Sequence, residues 1–237
     1  MGRVIRGIEF ADSVFEPAPT AWPAPVGAPV LLFGGSFDPP HRAHVELAVA
    51  ARDRLFGKSG CLVFVPAARS PHKASAPRAS DEDRVEMLRL AIGGEPRCAV
   101  WTDEIDRRGE GGGGASYWVE TLARACVAAG ERAALRFLIG ADQALAFDRW
   151  RDPGVIVALA EPAVLLRDPA PTREALRRAL QMGGIDPAVW MGRVVEVGVM
   201  PGASTDARAA LARGEPGAGL LDPRVLAYIR SRGLYAS

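Results

Sequence analysis

The sequence predicts a single α/β domain in which an open parallel sheet is covered by helices on both faces. Short apolar runs alternate along the chain with segments of helical periodicity, and this alternation is typical of parallel strands joined by crossover helices. The 237 residues are enough for one large domain. Hydrophobic residues make up 49% of the chain and charged residues 24%, close to the average of soluble globular proteins.

The chain is predicted to begin with an extension, residues 1–28, before the domain at residues 29–237. Residues 16–29 are rich in proline and alanine, and such a stretch cannot sustain the hydrogen bonds of a helix or a sheet. We therefore expect an unstructured lead and a tether. The first strand of the domain is predicted at 30–33, where an apolar run ends at two glycines.

The remaining elements follow in alternation. Periodic apolar positions predict a helix over 42–56, and another helix after Ser80, with Asp83 placed for a capping box. The last helix should run from Pro223 to Gly233, since proline suits a first turn and glycine commonly follows a helix. The other predicted elements are strands at 61–66, 99–101, 135–140, 164–166 and 194–199, and helices over 118–129 and from Ser204 to Gly214.

Composition and charge disfavour several classes of protein. The formal net charge is +1, from 29 basic and 28 acidic side chains, whereas general binders of nucleic acid or membrane surfaces need a basic surplus. No run of 18 apolar residues predicts a membrane span, and acidic residues at positions 9, 12 and 16 interrupt any secretion signal. Cysteine is sparse, and no CxxC pair occurs among Cys61, Cys98 and Cys126, so neither a disulfide framework nor a zinc site is expected. Few cysteines of this kind favour a cytoplasmic location.

The most informative segment is GGSFDPPHRAH, residues 34–44, directly after the first strand. An open α/β sheet binds its ligands at this end of its strands. Gly34 and Gly35 let the backbone approach a ligand closely, and the start of the following helix favours an anion. Because His41 and His44 are three residues apart at this helix start, both imidazoles can face one anion.

Two histidines at this spacing could also be a metal-binding pair or ordinary capped residues on the surface. A third ligand of the usual kind is not near in sequence, since Cys61 lies on a predicted buried strand. The other histidine, His72, is followed by Lys73 in a loop after the next strand, which should open at the same edge of the sheet. This convergence favours a site for phosphate groups. The segment is neither a P-loop nor a GxGxxG fingerprint, which disfavours an oxidoreductase.

Seven blocks, in order over roughly residues 30–235, together resemble a known family. GGSFDPPHRAH is similar to the GGTFDPxHxGH signature of nucleotidyltransferases with the HxGH motif. Segments of bacterial nicotinate-nucleotide adenylyltransferases are similar to FVPAARSPHK, DRVEMLRLAI, SYWVETL, FLIGADQALAFDRW, ASTDAR and LLDPRVLAYIRSRGLY. The resemblance implies a Rossmann-like fold of the nucleotidyltransferase type. It also implies adenylyl transfer from ATP to nicotinate mononucleotide, giving nicotinate adenine dinucleotide (deamido-NAD) and pyrophosphate in NAD biosynthesis.

The resemblance further implies roles for individual residues. Those that would act on the phosphates during catalysis are His41, His44, Lys73 and Arg208. Those that would bind ATP are Gly34, Gly35, Ser36, Phe37, Gly140, Asp142, Ser204 and Thr205. Those that would bind the acceptor are Tyr117, Trp118 and Trp150, a tryptophan face being suited to a cationic pyridinium ring. Mg²⁺ is implied by the triphosphate and not by a cluster of protein ligands.

The match departs from the family pattern at several positions. Trp118 replaces a threonine that the family uses near the nicotinate carboxylate, so acceptor choice is where this chain should differ. Ala43 adds a methyl where the family has glycine, and smaller residues stand at Gly202, Ala203 and Ala207. The GEGGGG segment (109–114) is expected to be a mobile loop. Two alternatives therefore stay open: transfer to nicotinamide mononucleotide or another phosphate ester, and a non-catalytic nucleotide-binding protein. The oligomeric state is open as well, a homo-oligomer included.

Overall fold

The computed structural model describes residues 3–16, 20–68, 77–109, 116–130 and 132–236. Lys73, His72 and the glycines of the GEGGGG segment from 111 to 114 lie outside these residues. The strands are β1 (Arg3–Ile5), β2 (Ile8–Phe10), β3 (Val30–Gly35), β4 (Cys61–Pro66), β5 (Cys98–Val100), β6 (Leu135–Gly140) and β7 (Glu161–Leu165). The helices are α1 (Arg42–Phe56), α2 (Asp81–Ile92), α3 (Asp103–Gly109), α4 (Trp118–Ala129), α5 (Ala141–Ala144), α6 (Pro153–Leu159), α7 (Arg173–Met182), α8 (Pro187–Met191), α9 (Ser204–Ala212) and α10 (Pro223–Arg232).

The central sheet is parallel, with its strands in the order β5-β4-β3-β6-β7. Side chains alternate between two cores: Val30 and Leu32 pack with helix α4 on one face, while Leu31 and Phe33 pack with α1 and α2 on the other. The predicted α/β class, an open parallel sheet with helices on both faces, is confirmed. In the described part of the chain, no helix is long and apolar enough to cross a membrane.

The register of β3 opens a crevice in the middle of the sheet. Strand β3 pairs with β4 along its whole length, from Val30 to Gly35, but with β6 only over Val30–Leu32. Beyond that point β6 continues along β7 as far as Gly140. The carboxyl ends of β3 and β6 therefore separate at the place where the strand order reverses, which is where open α/β sheets bind their ligands.

The local signals for helix ends work as the sequence predicts. The Ser80 hydroxyl accepts a hydrogen bond from the Asp83 backbone N–H at 3.1 Å and caps α2. Pro223 is the first residue of α10, and Gly233, with φ of +62°, ends this helix in the left-handed conformation.

The strand predicted at 194–199 is wrong. Only Val194 forms an isolated parallel bridge, to Val164 of β7. The chain then leaves the sheet, because residues 199–205 must turn toward the end of β3, where they line a cavity. Some of the alternating valines of this segment are buried or partly buried against the core. Two backbone hydrogen bonds join this part of the chain to Val164, which is too few to make it a further strand of the sheet.

The predicted unstructured lead is also wrong for its described residues. Strands β1 and β2 form an antiparallel hairpin, and Ile5 is only 3% exposed. The Arg6 guanidinium donates to the backbone carbonyls of Leu159 and Ala133 at 2.7 and 2.8 Å. The N-terminal segment therefore packs on the face of the sheet that α4 and α6 cover. The boundary at residue 29 stays a prediction.

Candidate active site

A cavity of about 910 Å³ opens at the crevice between β3 and β6. It contains most of the side chains that the sequence singles out. The predicted residues that line it are Gly34, Gly35, Ser36, Phe37, His41, His44, Tyr117, Trp118, Gly140, Trp150, Ser204, Thr205 and Arg208. Asp142 lies next to this lining, held by Arg167, which does line the cavity.

The two histidines at the start of α1 form a stacked pair. Their ring centroids are 3.6 Å apart with an interplanar angle of 23°. The backbone N–H of His41 donates to Nδ1 of His44 at 3.2 Å, so neutral His44 carries its hydrogen on Nε2. Burial and, after it, the Arg167 charge lower the pKa of His41 to about 4, with Asp206 partly opposing both. His41 is therefore a neutral hydrogen-bonding group at pH 7.

Gly34 and Gly35 are needed first for packing aromatic rings. A Cβ on Gly34 would lie 2.7 Å from Cζ3 of Trp118, and one on Gly35 would lie 2.9 Å from Cζ of Phe37. Phe37 has a positive φ of 47°, and its ring packs edge-on against His44 with centroids 5.2 Å apart. The turn thus brings three rings against the end of β3, and Trp118 covers the point where a ligand would reach Gly34.

Asp38 organises the loop between β3 and α1, a role that the sequence does not reveal. Its carboxylate accepts hydrogen bonds from the backbone N–H groups of Arg78 and Ala79 at 2.9 and 3.1 Å, and from the Tyr235 hydroxyl at 2.7 Å. Burial, together with this carboxylate, raises the pKa of Tyr235 above its usual range. The loop is therefore fixed by two segments that are distant in sequence.

Helix α9 is attached to the same loop. The Ser204 hydroxyl donates to the Pro39 carbonyl at 3.0 Å, and the Arg208 guanidinium donates to the Asp38 carbonyl at 2.6 Å. Arg208 also donates to the Thr205 hydroxyl at 3.1 Å. These bonds bring the start of α9 and the start of α1 to one side of the cavity, so that two helix N-termini face the same space.

Arg167 is a cavity residue that the sequence analysis missed. It lies two residues beyond β7 and donates two hydrogen bonds to the carboxylate of Asp142, at 2.7 and 2.9 Å. Burial would raise the pKa of Asp142, but the hydrogen bonds and charge of Arg167 outweigh it and lower this pKa. A Cβ on Gly140 would collide with both partners, so the glycine leaves room for this pair in its observed position.

Comparison with known proteins identifies the family. The model of cytidylyltransferase-like proteins matches residues 32–205. A probable nicotinate-nucleotide adenylyltransferase of Laribacter hongkongensis is 39% identical over 217 residues, covering 87% of this chain and 94% of that protein. A protein of the same description from Chromobacterium violaceum is 37% identical over 218 residues, covering 89% of this chain and 100% of that protein. The chain belongs to the nicotinate-nucleotide adenylyltransferase family.

Solved structures of this family share the fold. The nicotinic acid mononucleotide adenylyltransferase of Plasmodium falciparum, complexed with NaAD, has a TM-score of 0.64 at 15% identity and covers 88% of this chain and 97% of that one. A putative nicotinate-nucleotide adenylyltransferase from Vibrio parahaemolyticus has a TM-score of 0.59 at 16% identity and covers 88% of this chain. At this identity the likeness establishes the nucleotidyltransferase type of sheet predicted from the sequence.

The part of the cavity around Tyr117, Trp118 and Trp150, which the family resemblance predicts to bind the acceptor, is rich in aromatic rings. We call it the acceptor half. Trp150 packs against Phe147 with centroids 5.2 Å apart, and Arg151 lies over the Tyr117 ring at 4.4 Å. The indole Nε1 of Trp118 is buried and has no hydrogen-bond partner among the described residues. The buried carboxyl of Glu104, which the sequence analysis missed, also lines this part of the cavity. Burial raises the pKa of Glu104 despite hydrogen bonds from Ser116 and Thr121.

The donor set of the cavity suits phosphate oxygens better than a bare metal ion. Within the described ranges, no group of three or more His, Cys, Asp or Glu side chains is placed to hold a metal. The imidazoles of His41 and His44 and the guanidinium groups of Arg167 and Arg208 are hydrogen-bond donors or cations, whereas Mg²⁺ prefers oxygen ligands. Residues of this kind fit the phosphates of a magnesium–nucleotide complex.

Proposed function

We propose that this protein transfers the adenylyl group of ATP to nicotinate mononucleotide. A phosphate oxygen of the mononucleotide attacks the α-phosphorus of ATP, and the bond from that phosphorus to the bridging oxygen of the β-phosphate breaks. The products are nicotinate adenine dinucleotide and pyrophosphate. Such a transfer needs positioning and charge stabilisation more than covalent chemistry by the protein.

The observation that carries this proposal is the stacked His41–His44 pair in the cavity at the end of β3. Its geometry is fixed before any phosphate arrives, because Nδ1 of His44 accepts the backbone N–H of His41. Nε2 is therefore the nitrogen with which His44 donates a hydrogen bond. Preorganised donors of this kind stabilise charge that develops on phosphate oxygens during transfer. Magnesium bound to ATP would supply further neutralisation of the phosphate charge.

Two arginines add positive charge at the same place. Arg208 reaches the loop before α1, and Arg167 lies beside Gly140 at the end of β6. Burial, followed by the Arg167 charge, disfavours a protonated His41, so the site combines a neutral His41 imidazole with permanent cations. We propose that Arg208 binds the leaving pyrophosphate and that Lys73 assists it. We also propose that Asp142 accepts hydrogen bonds from a ribose.

The aromatic half of the cavity is the proposed site of the acceptor. Trp150 and Tyr117 offer flat faces to a pyridinium ring, which is cationic in the mononucleotide. A second acceptor, nicotinamide mononucleotide, is favoured by one observation. The indole of Trp118 occupies the space beside Gly34, at a position where the family resemblance predicts threonine, so a hydroxyl donor for the carboxylate is absent there.

The test is pyrophosphate release from ATP and Mg²⁺ with each mononucleotide offered separately. We expect turnover with the nicotinate form, and a loss of at least about 100-fold in kcat for His44→Ala. Glu46→Ala is the matched control, because Glu46 is exposed on the same helix and its ion pair is with Arg42, also exposed, at 2.7 Å. Wild-type protein that releases no pyrophosphate with either acceptor would refute the proposal and favour a nucleotide-binding role.

We also propose a cytoplasmic location and, as partners, the small molecules ATP and nicotinate mononucleotide, with neither nucleic acid nor a membrane. The three cysteines are free, and burial raises the pKa of the Cys98 and Cys126 thiols to about 11, which makes them unreactive. Proteins of a reducing compartment rarely contain disulfides, which agrees with three free cysteines. Fractionation of cells that produce the protein, with Sec-exported and cytoplasmic markers, tests the location.

A further inference from the structure

The N-terminal segment, here the described residues 3–16 and 20–28, contacts α3, the helix whose Glu104 lines the cavity. The hydroxyls of Thr20 and Thr102 lie 2.8 Å apart, and both donate to the carboxylate of Asp106 in α3. The indole N–H of Trp101 donates to the Thr20 carbonyl at 3.3 Å, and the ring of Trp22 packs edge-on against Trp101 with centroids 5.0 Å apart. These contacts fix the start of α3 on the N-terminal segment.

A second attachment follows one residue later. The guanidinium of Arg107 donates to the Glu16 carbonyl at 3.0 Å and to the Asp103 carboxylate at 2.9 Å. Asp103 is fully buried and also accepts from Arg124 of α4 at 2.7 Å. Arg107 therefore connects the N-terminal segment to the buried ion pair between α3 and α4.

Glu104, which lies in the first turn of α3 between Asp103 and Asp106, reaches the cavity. Its two carboxyl oxygens accept hydrogen bonds from the hydroxyls of Ser116, at 2.5 Å, and Thr121, at 2.8 Å. Between these two partners lie Tyr117 and Trp118, which line the acceptor half. Glu104 thus holds the first turn of α4, and the position of Glu104 depends on α3.

We infer that the N-terminal segment positions the acceptor-binding residues of the cavity through α3 and Glu104. The sequence of contacts runs from Thr20 and Glu16, through Asp106 and Arg107, to the start of α4. None of these side chains needs to touch a substrate, so they are positioning residues. The inference rests on the proposed function, since it assigns the aromatic half of the cavity to the acceptor mononucleotide. The hydrogen bonds of Arg6, Glu16, Thr20 and Gly27 join the N-terminal segment to residues 101–107, 129, 133 and 159, whereas the phosphates of ATP are proposed to bind near the starts of α1 and α9.

The test replaces the hydroxyl that joins the two segments. For Thr20→Val we expect the KM for the acceptor to rise about 3- to 10-fold, the range that loss of one hydrogen bond gives, while kcat and the KM for ATP change less than about 2-fold. Thr20→Ser should restore the acceptor KM. Arg107→Lys, which keeps the charge beside Asp103 but cannot bond both partners, should produce the same split and covers the case in which Thr20→Val does not fold.

Thr172→Val is the matched control, because the Thr172 hydroxyl caps α7 at the surface through the Ala175 N–H at 3.1 Å. It should lower thermal stability and leave both KM values unchanged. Equal rises in the two KM values, or no change in either with Thr20→Val, would overturn the inference. A second readout needs no turnover: amide hydrogen exchange at 117–121 should accelerate in Thr20→Val and not in Thr172→Val. If wild-type protein is inactive, the proposed function fails, and unchanged exchange at 117–121 would separately refute the positioning role.

Discussion

At the scale of single residues, Trp118 is the position most able to change the choice of acceptor. Its ring fills the space beside Gly34, and its Nε1 has no hydrogen-bond partner among the described residues. Trp118→Thr would open this space and restore a hydroxyl donor for a carboxylate. We expect the ratio of kcat/KM for the nicotinate over the nicotinamide acceptor to rise about 10-fold, the effect of one or two hydrogen bonds. Steady-state pyrophosphate release with both acceptors measures this ratio.

Trp118→Phe is the comparison for Trp118→Thr, which both opens space beside Gly34 and adds a hydroxyl. It keeps an aromatic ring at this position and supplies no hydroxyl, but it removes the indole N–H and one of the two fused rings. A ratio that stays near the wild-type value in Trp118→Phe but rises in Trp118→Thr would assign the effect to the bulk of the ring and the missing hydroxyl. An unchanged ratio in Trp118→Thr would show that this position does not govern acceptor choice.

The residues of the site differ in how far the sequence could predict them. His41, His44 and the glycines stand in one continuous segment after a strand, so local pattern was enough to propose them. Arg167 could not be proposed, because its position beside Asp142 depends on the register of β7 against β6, which pairs Gly140 with Leu165. Polar partners that meet through sheet register leave no signal in the local sequence.

At the scale of elements, α9 depends on the loop that Asp38 organises. Tyr235→Phe removes the hydroxyl that donates to Asp38 at 2.7 Å, in a buried environment. We expect a loss of about 1–2 kcal/mol in the free energy of unfolding, since a buried carboxylate loses one of its donors. We also expect the KM for ATP to rise about 3- to 10-fold, because Arg208 is held by the carbonyl of the same Asp38. Urea unfolding and steady-state kinetics check the two effects.

Tyr228→Phe is the control for this element. The Tyr228 hydroxyl donates to the carboxylate of Asp83 at 2.8 Å, between α10 and α2 and away from the cavity. It should cost some stability without a change in the KM for ATP. If Tyr235→Phe changes stability alone, Asp38 supports the fold and not the phosphate side of the site.

Elements were predicted well where hydrophobic periodicity reports burial on both faces of a sheet. Strand β6 and helix α1 were predicted at 135–140 and 42–56, and both have those bounds. The segment 194–199 has a similar valine pattern but bends away after Val195, because it must deliver α9 to the cavity. Periodicity shows which residues are buried, not whether the backbone finds a neighbouring strand.

At the scale of the whole molecule, alternation of strands and helices was enough to predict the class of fold. Parallel strands need crossover connections, so this order of elements leaves few arrangements other than a parallel sheet covered on both faces. The N-terminal segment could not be predicted in this way. Proline and alanine indicate that residues 16–29 lack regular structure, but they do not report tertiary contacts such as the packing of Trp22 on Trp101.

The buried His41 should make the stability of the whole protein depend on pH. Its pKa is lowered from 6.5 to about 4 in the folded state, mainly by burial. Below pH 6.5 the unfolded chain therefore binds a proton at this histidine, whereas the folded protein binds it only near pH 4. Stability is therefore lost as pH falls through this window, by on the order of 3 kcal/mol. Glu104 acts in the opposite direction, because a raised pKa favours proton uptake by the folded protein.

The contribution of His41 is isolated by comparing wild-type protein with His41→Asn, which retains Glu104 and cannot titrate at position 41. Urea unfolding at several pH values between about 7.5 and 4.5 gives the free energy of unfolding of each protein. The difference between the variant and the wild type should shift in favour of the variant as pH falls, with most of the shift between about pH 6.5 and 4.5. Parallel curves would mean that His41 keeps an ordinary pKa in the folded protein, and that its imidazole is charged when phosphates bind under mildly acidic conditions. At pH 7, His41 would then be neutral only because the ordinary pKa of a solvated imidazole, 6.5, lies below that pH, and not because the side chain is buried beside Arg167.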